Sequence, residues 1–123
     1  QADRAPTVMN GAVMKNFATP ENPFASARVG RSPVFVSEVD ESDGSIALYR
    51  PTIGVLLNVS IDHKSIEDLR VLFGDFLAAS GCAVINLDNG EAAHLRARSR
   101  QQVSFGLQAR SADITVEPDS IDA

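Results

Sequence analysis

The feature that most constrains this chain is a pair of β-branched runs that each stop abruptly in polar residues. Residues 34–36 lead into the acidic stretch 38–43, and residues 52–59 lead into Asp62-His63. Short apolar runs bounded by polar turns are typical of buried parallel strands. We therefore predict an α/β fold in which carboxylates and an imidazole gather at the carboxyl ends of neighbouring strands, where open α/β sheets bind ligands.

The rest of the chain extends this pattern of strands and helices. Apolar residues at helical spacing, with acidic residues in the first turn, predict a helix from Ser65 to Ala79 that Gly81 ends. The other predicted elements are strands at 7–13, 33–37, 52–58, 83–87, 101–107 and 112–117, a second helix at 91–98, an irregular connection at 15–31, and a loose tail at 118–123. We also predict a short helical turn at 41–45 that Gly44 ends early, and a sheet-edge position for residues 101–107. Alternating strands and helices predict a Rossmann-like, mostly parallel sheet with flanking helices.

Composition narrows the class of protein. At 123 residues the chain is one domain or part of one, and its net charge of −5 argues against nucleic acid as a partner. A single cysteine, Cys82, cannot form an internal disulfide, which favours the cytoplasm. No apolar run approaches the roughly 18 residues of a membrane helix, so we expect no membrane partner.

The residues that could carry chemistry are few. Glu38 and His63 each follow a predicted buried strand, and adjacent strands about 4.8 Å apart would bring them into one crevice able to hold a divalent cation. The structural alternatives are a solvated acidic loop and a strand-end histidine without a ligand. His94 lies in a predicted helix and is expected to be a surface or half-buried side chain with a structural role. The sequence has no G-x-S-x-G elbow, no G-x-x-x-x-G-K-[ST] phosphate loop and no G-x-G-x-x-G motif.

Three motifs resemble the central ATPase domain of the Mur ligases. They are the acidic motif 37–45 (SEVDESDGS), residues 49–52 (YRPT) and residues 57–63 (LNVSIDH), with weaker similarity at 7–16 and in the N-x-D-N turn at 86–89. Within that family, the acidic motif is most similar to the enzymes that add L-alanine to UDP-N-acetylmuramate or recycle murein tripeptide. The resemblance covers most of residues 1–123 and implies a partial central domain that lacks the phosphate loop and the C-terminal domain.

The resemblance implies ATP and Mg²⁺ as cofactors. Glu38 would help bind a Mg²⁺ that bridges the ATP phosphates, and His63 would help bind a second near the acyl phosphate. Asn58 would line the same site. The substrate side would be formed by Asn10, Asn16, Asp40, Glu41, Ser42 and Asp43.

The implied activity is formation of an amide between an amino acid or peptide and a UDP-N-acetylmuramoyl substrate, through an acyl phosphate, in peptidoglycan synthesis or recycling. We predict that this chain alone does not turn over ATP. The alternatives are a non-catalytic Mg²⁺-binding signalling module and a structural α/β module.

Overall fold

A computed structural model describes residues 4–62 and 64–117 of the chain. These residues form two compact units, which we call the N-terminal unit, up to Glu41, and the C-terminal unit, from Ser42 onward. The predicted tail at 118–123 lies outside the described residues.

The N-terminal unit contains a small mixed sheet. Its strands are β1 (Thr7–Met9), β2 (Ala27–Arg28) and β3 (Phe35–Ser37), in the order β2-β1-β3. β1 pairs with β3 in parallel and with β2 in antiparallel orientation. Parallel pairing places the carboxyl ends of β1 and β3 side by side.

Two sequence-based expectations about this unit are wrong. β2 lies inside the connection predicted to be irregular at residues 15–31, because its two residues carry no pattern that distinguishes them from a loop. β3 was predicted to be fully buried, but its Phe35 and Val36 side chains are 58% and 51% exposed. A β-branched run predicts a strand, whereas burial depends on what packs against the strand.

The C-terminal unit confirms the predicted α/β class. Its elements in chain order are β4 (Ile53–Leu56), α1 (Ile66–Ala79), β5 (Cys82–Asn86), α2 (Gly90–Leu95), β6 (Gln102–Gly106) and β7 (Ile114–Thr115). The four strands are all parallel, in the order β4-β5-β6-β7. Among the described residues, no helix is long and apolar enough to cross a bilayer.

One face of this sheet forms the core with the two helices. Alternate strand residues point toward that face, because successive side chains on a strand alternate. The buried residues include Gly54 and Leu56 on β4, Ala83 and Ile85 on β5, Ser104 and Gly106 on β6, Leu69, Gly74, Phe76 and Leu77 on α1, and Ala92 and Leu95 on α2. α1 begins with Ser65 as its N-cap, whose side chain accepts a hydrogen bond from the Asp68 N–H.

The opposite face of the same sheet is open. Ile53, Val55 and Ile114 are 60%, 52% and 58% exposed, and Val84 and Phe105 on the intervening strands are half-buried. We call these residues the open face. Parallel sheets are usually covered on both sides.

Four finer expectations need correction. β3 and β4, predicted as neighbouring strands, belong to separate sheets, since β3 pairs with β1 and β4 with β5. β6 is an inner strand between β5 and β7 and not a sheet edge. Gly44 does not end a helical turn; with φ of 77° it precedes a 3-10 helix at Ser45–Leu48. α2 stops at Leu95 and tightens into a 3-10 turn, Arg96–Arg98, where the sequence predicted one continuous helix.

Candidate functional site

Glu38 and the Asn10-Gly11 turn meet at the carboxyl end of the N-terminal sheet. Glu38 follows β3 and donates its backbone N–H to the Met9 carbonyl at 3.0 Å. Its side chain folds over the end of β1, where Oε2 accepts a 2.8 Å hydrogen bond from the Gly11 N–H. The side chain is exposed. One carboxylate oxygen is therefore oriented by the backbone, while the residue faces solvent.

The structure brings Asn10 to this edge but not Asn16. Asn10 is half-buried, its Nδ2 donates to the Ala12 carbonyl at 3.0 Å, and its N–H donates to the Ser26 carbonyl at 2.9 Å. Those bonds hold the turn that presents Gly11 to Glu38. Asn16 is exposed in the following turn, where Phe17 N–H bonds to the Met14 carbonyl.

The acidic motif is divided between the two units. Asp40 and Glu41 end the N-terminal unit, and Ser42 and Asp43 begin the C-terminal unit. Asp43 Oδ1 accepts a 2.7 Å hydrogen bond from Ser45 N–H at the start of the 3-10 helix. Asp43 thus has a local structural role in addition to any contact with substrate.

Lys64 contacts the part of the acidic motif that lies in the C-terminal unit. The Ser42 carbonyl accepts a 3.0 Å hydrogen bond from Lys64 Nζ. Ser42 is therefore bonded to the end of the segment that follows β4.

Asn58 lies just beyond the carboxyl end of β4 and is exposed. The next residue, Val59, is only 4% exposed, so its side chain anchors the segment. Its backbone is held by Asn89: Asn89 Oδ1 accepts from Val59 N–H at 3.2 Å, and Nδ2 donates to the Val59 carbonyl at 3.4 Å. The same Oδ1 accepts from Ala92 N–H at 2.9 Å as the N-cap of α2.

Asp88 binds the backbone of residues 107–109, which follow β6, the strand on the other side of β5 from β4. Its carboxylate accepts hydrogen bonds from three consecutive backbone N–H groups after β6, at 2.6 Å from Leu107, 3.0 Å from Gln108 and 2.7 Å from Ala109. These donors, Leu107 first, lower the pKa of Asp88 below its ordinary value, against the opposing effect of desolvation. Asp88 and Asn89 together connect the segments that follow three adjacent strands.

The roles of Asp88 and Asn89 in holding the neighbouring segments were not predicted from the sequence. The turn at 86–89 was noted only for its similarity to a family motif. An Asx residue that closes a strand and opens a helix is a recognisable N-cap signal. The bonds to Val59 and Leu107 span 30 and 19 residues and leave no local signal in the sequence.

A bidentate ion pair joins the two helices beneath this edge. Arg70 Nε and Nη2 lie 2.7 and 2.8 Å from the carboxylate oxygens of Glu91. The hydrogen bonds from Arg70 are the main cause of a lowered pKa at Glu91, and the same carboxylate raises the pKa of Arg70. α2 is therefore fixed both to α1 and, through Asn89, to the Val59 segment.

The predicted approach of Glu38 to His63 stays a prediction, because His63 lies outside the described residues. His94 is exposed, as expected. Across residues 4–62 and 64–117, no group of three or more His, Cys, Asp and Glu side chains is arranged to hold a metal ion.

Comparison with known proteins gives sequence relatives that include several ligases. A UDP-N-acetylmuramate--L-alanine ligase of Geobacter sp. (strain M21) is 35% identical in an alignment that covers 86% of this chain and 23% of the relative. Ligases of the same name from Desulforapulum autotrophicum and Aquifex aeolicus are 34% and 33% identical over 90% and 85% of this chain. No family model matches the chain.

The parallel sheet with flanking helices defines the chain as a Rossmann-like α/β protein. The sequence comparisons support a segment of a Mur ligase, and the chain spans about a quarter of the length of the curated relatives it matches.

Proposed function

We propose that this chain is part of an ATP-dependent ligase that joins an amino acid or peptide to a UDP-N-acetylmuramoyl substrate in peptidoglycan synthesis or recycling. The observation that carries this proposal is the 35% identity to a UDP-N-acetylmuramate--L-alanine ligase over 86% of the chain. The comparisons give no support to a signalling module.

The proposed reaction passes through an acyl phosphate. The substrate carboxylate attacks the γ-phosphorus of ATP and ADP leaves; the amine of the incoming amino acid then attacks the acyl carbon, and phosphate leaves as the amide forms. Carboxylate and triphosphate repel each other, so bound Mg²⁺ would offset charge and align the groups.

The chemistry of Glu38 is suited to the metal-binding role. Mg²⁺ prefers oxygen ligands and usually keeps several waters, with one or two carboxylates and the substrate phosphates completing its shell. Glu38 offers an exposed carboxylate whose Oε2 is already oriented by Gly11 N–H. In the proposal His63 helps bind a second Mg²⁺, Asn58 lines the phosphate site, and Asn10 and the acidic motif face the substrate.

The test is ligation by the full-length protein that carries this segment. ATP, Mg²⁺, UDP-N-acetylmuramate and L-alanine are supplied, and phosphate release and amide formation are measured together. Glu38→Gln keeps an acceptor for Gly11 N–H but removes the charge, so we expect kcat to fall at least tenfold; His63→Ala should fall similarly. Glu67→Gln, which changes an exposed carboxylate in the first turn of α1, is the matched control and should retain activity.

Two results would contradict the two parts of the proposal. A folded full-length protein that releases no phosphate with any muramoyl substrate and amino acid would overturn the ligase function. Full activity in Glu38→Gln would overturn the metal-binding role of Glu38 and leave the ligase function standing.

A further inference from the structure

The segment after β4 that contains Asn58 is hydrogen-bonded to Asn89, the N-cap of α2. Asn58 is exposed and its neighbour Val59 is buried. Both backbone groups of Val59 hydrogen-bond to the side chain of Asn89, at 3.2 Å for the N–H and 3.4 Å for the carbonyl. Because the N–H belongs to the peptide plane that follows Asn58, Asn89 fixes the orientation in which the Asn58 side chain leaves the chain.

The same side chain also caps α2. Asn89 Oδ1 accepts from Ala92 N–H at 2.9 Å, so one oxygen serves both the helix and the segment after β4. α2 in turn is held to α1 by the Arg70–Glu91 pair. The position of Asn58 is therefore coupled through Asn89 to the start of α2.

We propose that Asn89 is a positioning residue for the phosphate site, acting through Val59 on Asn58. This inference rests on the proposed function, because it needs Asn58 to line the nucleotide site. Asn89 itself touches no reacting atom; its effect is to remove alternative positions of the Asn58 side chain and so lower the cost of ordering that side chain around ATP.

We call the two hydrogen bonds between the Asn89 side chain and the Val59 backbone the clasp. Substitutions at position 89 can distinguish the clasp from the helix cap. Ser is also a good N-cap and would still accept from Ala92 N–H, but its hydroxyl is shorter and would not reach Val59. Asp at position 89 would keep an oxygen able to accept from both Val59 N–H and Ala92 N–H, but it would lose the Nδ2 donor to the Val59 carbonyl. Asn89→Ser therefore removes both bonds to Val59 and keeps the cap, whereas Asn89→Asp removes only the bond to the Val59 carbonyl.

The experiment measures steady-state kinetics of the full-length protein and amide hydrogen exchange of residues 58–60. For Asn89→Ser we expect the KM for ATP to rise at least fivefold, with exchange at Val59 N–H accelerated at least tenfold and protection at Ala92 N–H retained. Asn89→Asp should lie between wild type and Asn89→Ser in both measurements, because it keeps the bond to Val59 N–H and loses the bond to the Val59 carbonyl. Arg70→Gln is the control: it removes the α1–α2 ion pair without touching Val59, so it should lower the melting temperature but leave the KM for ATP unchanged.

The outcomes separate the two claims. An active wild-type protein whose KM for ATP is unaffected by Asn89→Ser, while Val59 exchange accelerates, overturns the positioning role and leaves the ligase proposal standing. Equal effects of Asn89→Ser and Arg70→Gln on KM also overturn the positioning role, since general loosening of α2 would then be sufficient. A folded wild-type protein without ligase activity overturns the proposed function and the positioning role with it.

Discussion

Glu38 Oε2 accepts a 2.8 Å hydrogen bond from the backbone N–H of Gly11, which joins the residues that follow β3 and β1. A Cβ added at Gly11 would lie 3.2 Å from the same oxygen, so the turn approaches the carboxylate closely. The close approach orients Glu38 without burying it. A residue held in this way can be substituted without dismantling the unit around it.

Glu38→Ala should therefore leave the fold intact. We expect its free energy of unfolding to remain within about 1 kcal/mol of wild type, because one exposed hydrogen bond is lost and no cavity is created. Urea denaturation followed by circular dichroism is the measurement. A loss of several kcal/mol would show that Glu38 is a structural residue rather than a site residue.

The lowered pKa of Asp88 predicts that the free energy of unfolding depends on pH in a specific way. Three backbone donors lower its pKa in the folded state, so the unfolded state binds more protons between the two pKa values. The stabilisation by Asp88 is thus present above the ordinary aspartate pKa near 4 and is lost as pH falls through the lowered folded value. The lowered pKa values of Glu91 and Asp113 act in the same direction, so the difference between wild type and a variant is the useful quantity.

The variant is Asp88→Asn, measured by urea denaturation from about pH 6 to about pH 2.5. The stability difference between wild type and Asp88→Asn should be constant near neutral pH and shrink as the pH drops below about 4. A difference that stays constant down to the lowest pH would mean that the carboxylate charge does not stabilise the segment at 107–109.

Gly54 allows α1 to pack closely on β4. A Cβ at this position would lie 2.3 Å from Ser80 Oγ and 3.0 Å from a ring carbon of Phe76. Ser80 is buried and its Oγ donates to the Phe76 carbonyl at 2.8 Å, so it cannot move freely. Gly54→Ala should destabilise the chain by about 1–3 kcal/mol through overpacking.

A double-mutant cycle checks the cause of that loss. Ser80→Gly removes two of the three closest contacts, Oγ at 2.3 Å and Cβ at 3.1 Å, so the Gly54→Ala/Ser80→Gly variant should lose less stability than the sum of the single substitutions. Additive losses would point to a backbone effect in place of the steric clash.

The open face should make the isolated chain self-associate. Ile53 and Val55 are more than half exposed on an edge strand that has one paired neighbour in its sheet, and exposed apolar patches of this kind promote association. Ile53→Lys should lower the apparent mass in sedimentation experiments at high concentration and change the stability by no more than about 0.5 kcal/mol. Strong destabilisation would mean that Ile53 is covered in solution.

The isolated chain of 123 residues should not hydrolyse ATP. It contains no G-x-x-x-x-G-K-[ST] loop, the motif whose backbone amides cradle phosphates in many nucleotide-binding proteins. The measurement is phosphate release with ATP, Mg²⁺ and a UDP-muramoyl substrate. Release above a control without protein would contradict this prediction.

The sequence predicts the elements of the C-terminal unit well because their signals are local. α1 has its N-cap, its acidic first turn and its apolar stripe within fifteen residues, and the strands at β4, β5 and β6 are short apolar or alternating runs. The pairing of strands is not local. β3 and β4 have equally strong runs, yet they join different sheets, because each strand pairs according to the partners that the rest of the chain offers.

The candidate site was predicted in part. The Glu38 position at a strand end follows from its place after an apolar run, and the structure adds Gly11 as its partner. The clasp by Asn89 and the bonds to Asp88 could not be read from the sequence, since an Asx residue in a turn has many possible long-range partners and only folding selects Val59 and Leu107 among them.

The turn between β5 and α2 also has a consequence for the order in which the chain folds. Its side chains close loops of 30 residues to Val59 and 19 residues to Leu107, so each bond can form only after the crossover helix inside its loop, α1 for Val59 and α2 for Leu107, has returned the chain to the sheet. The two bonds together therefore report that both crossovers have closed. A nascent or partly unfolded chain would contain Asn58 before it could form the hydrogen bonds that fix the position of that residue.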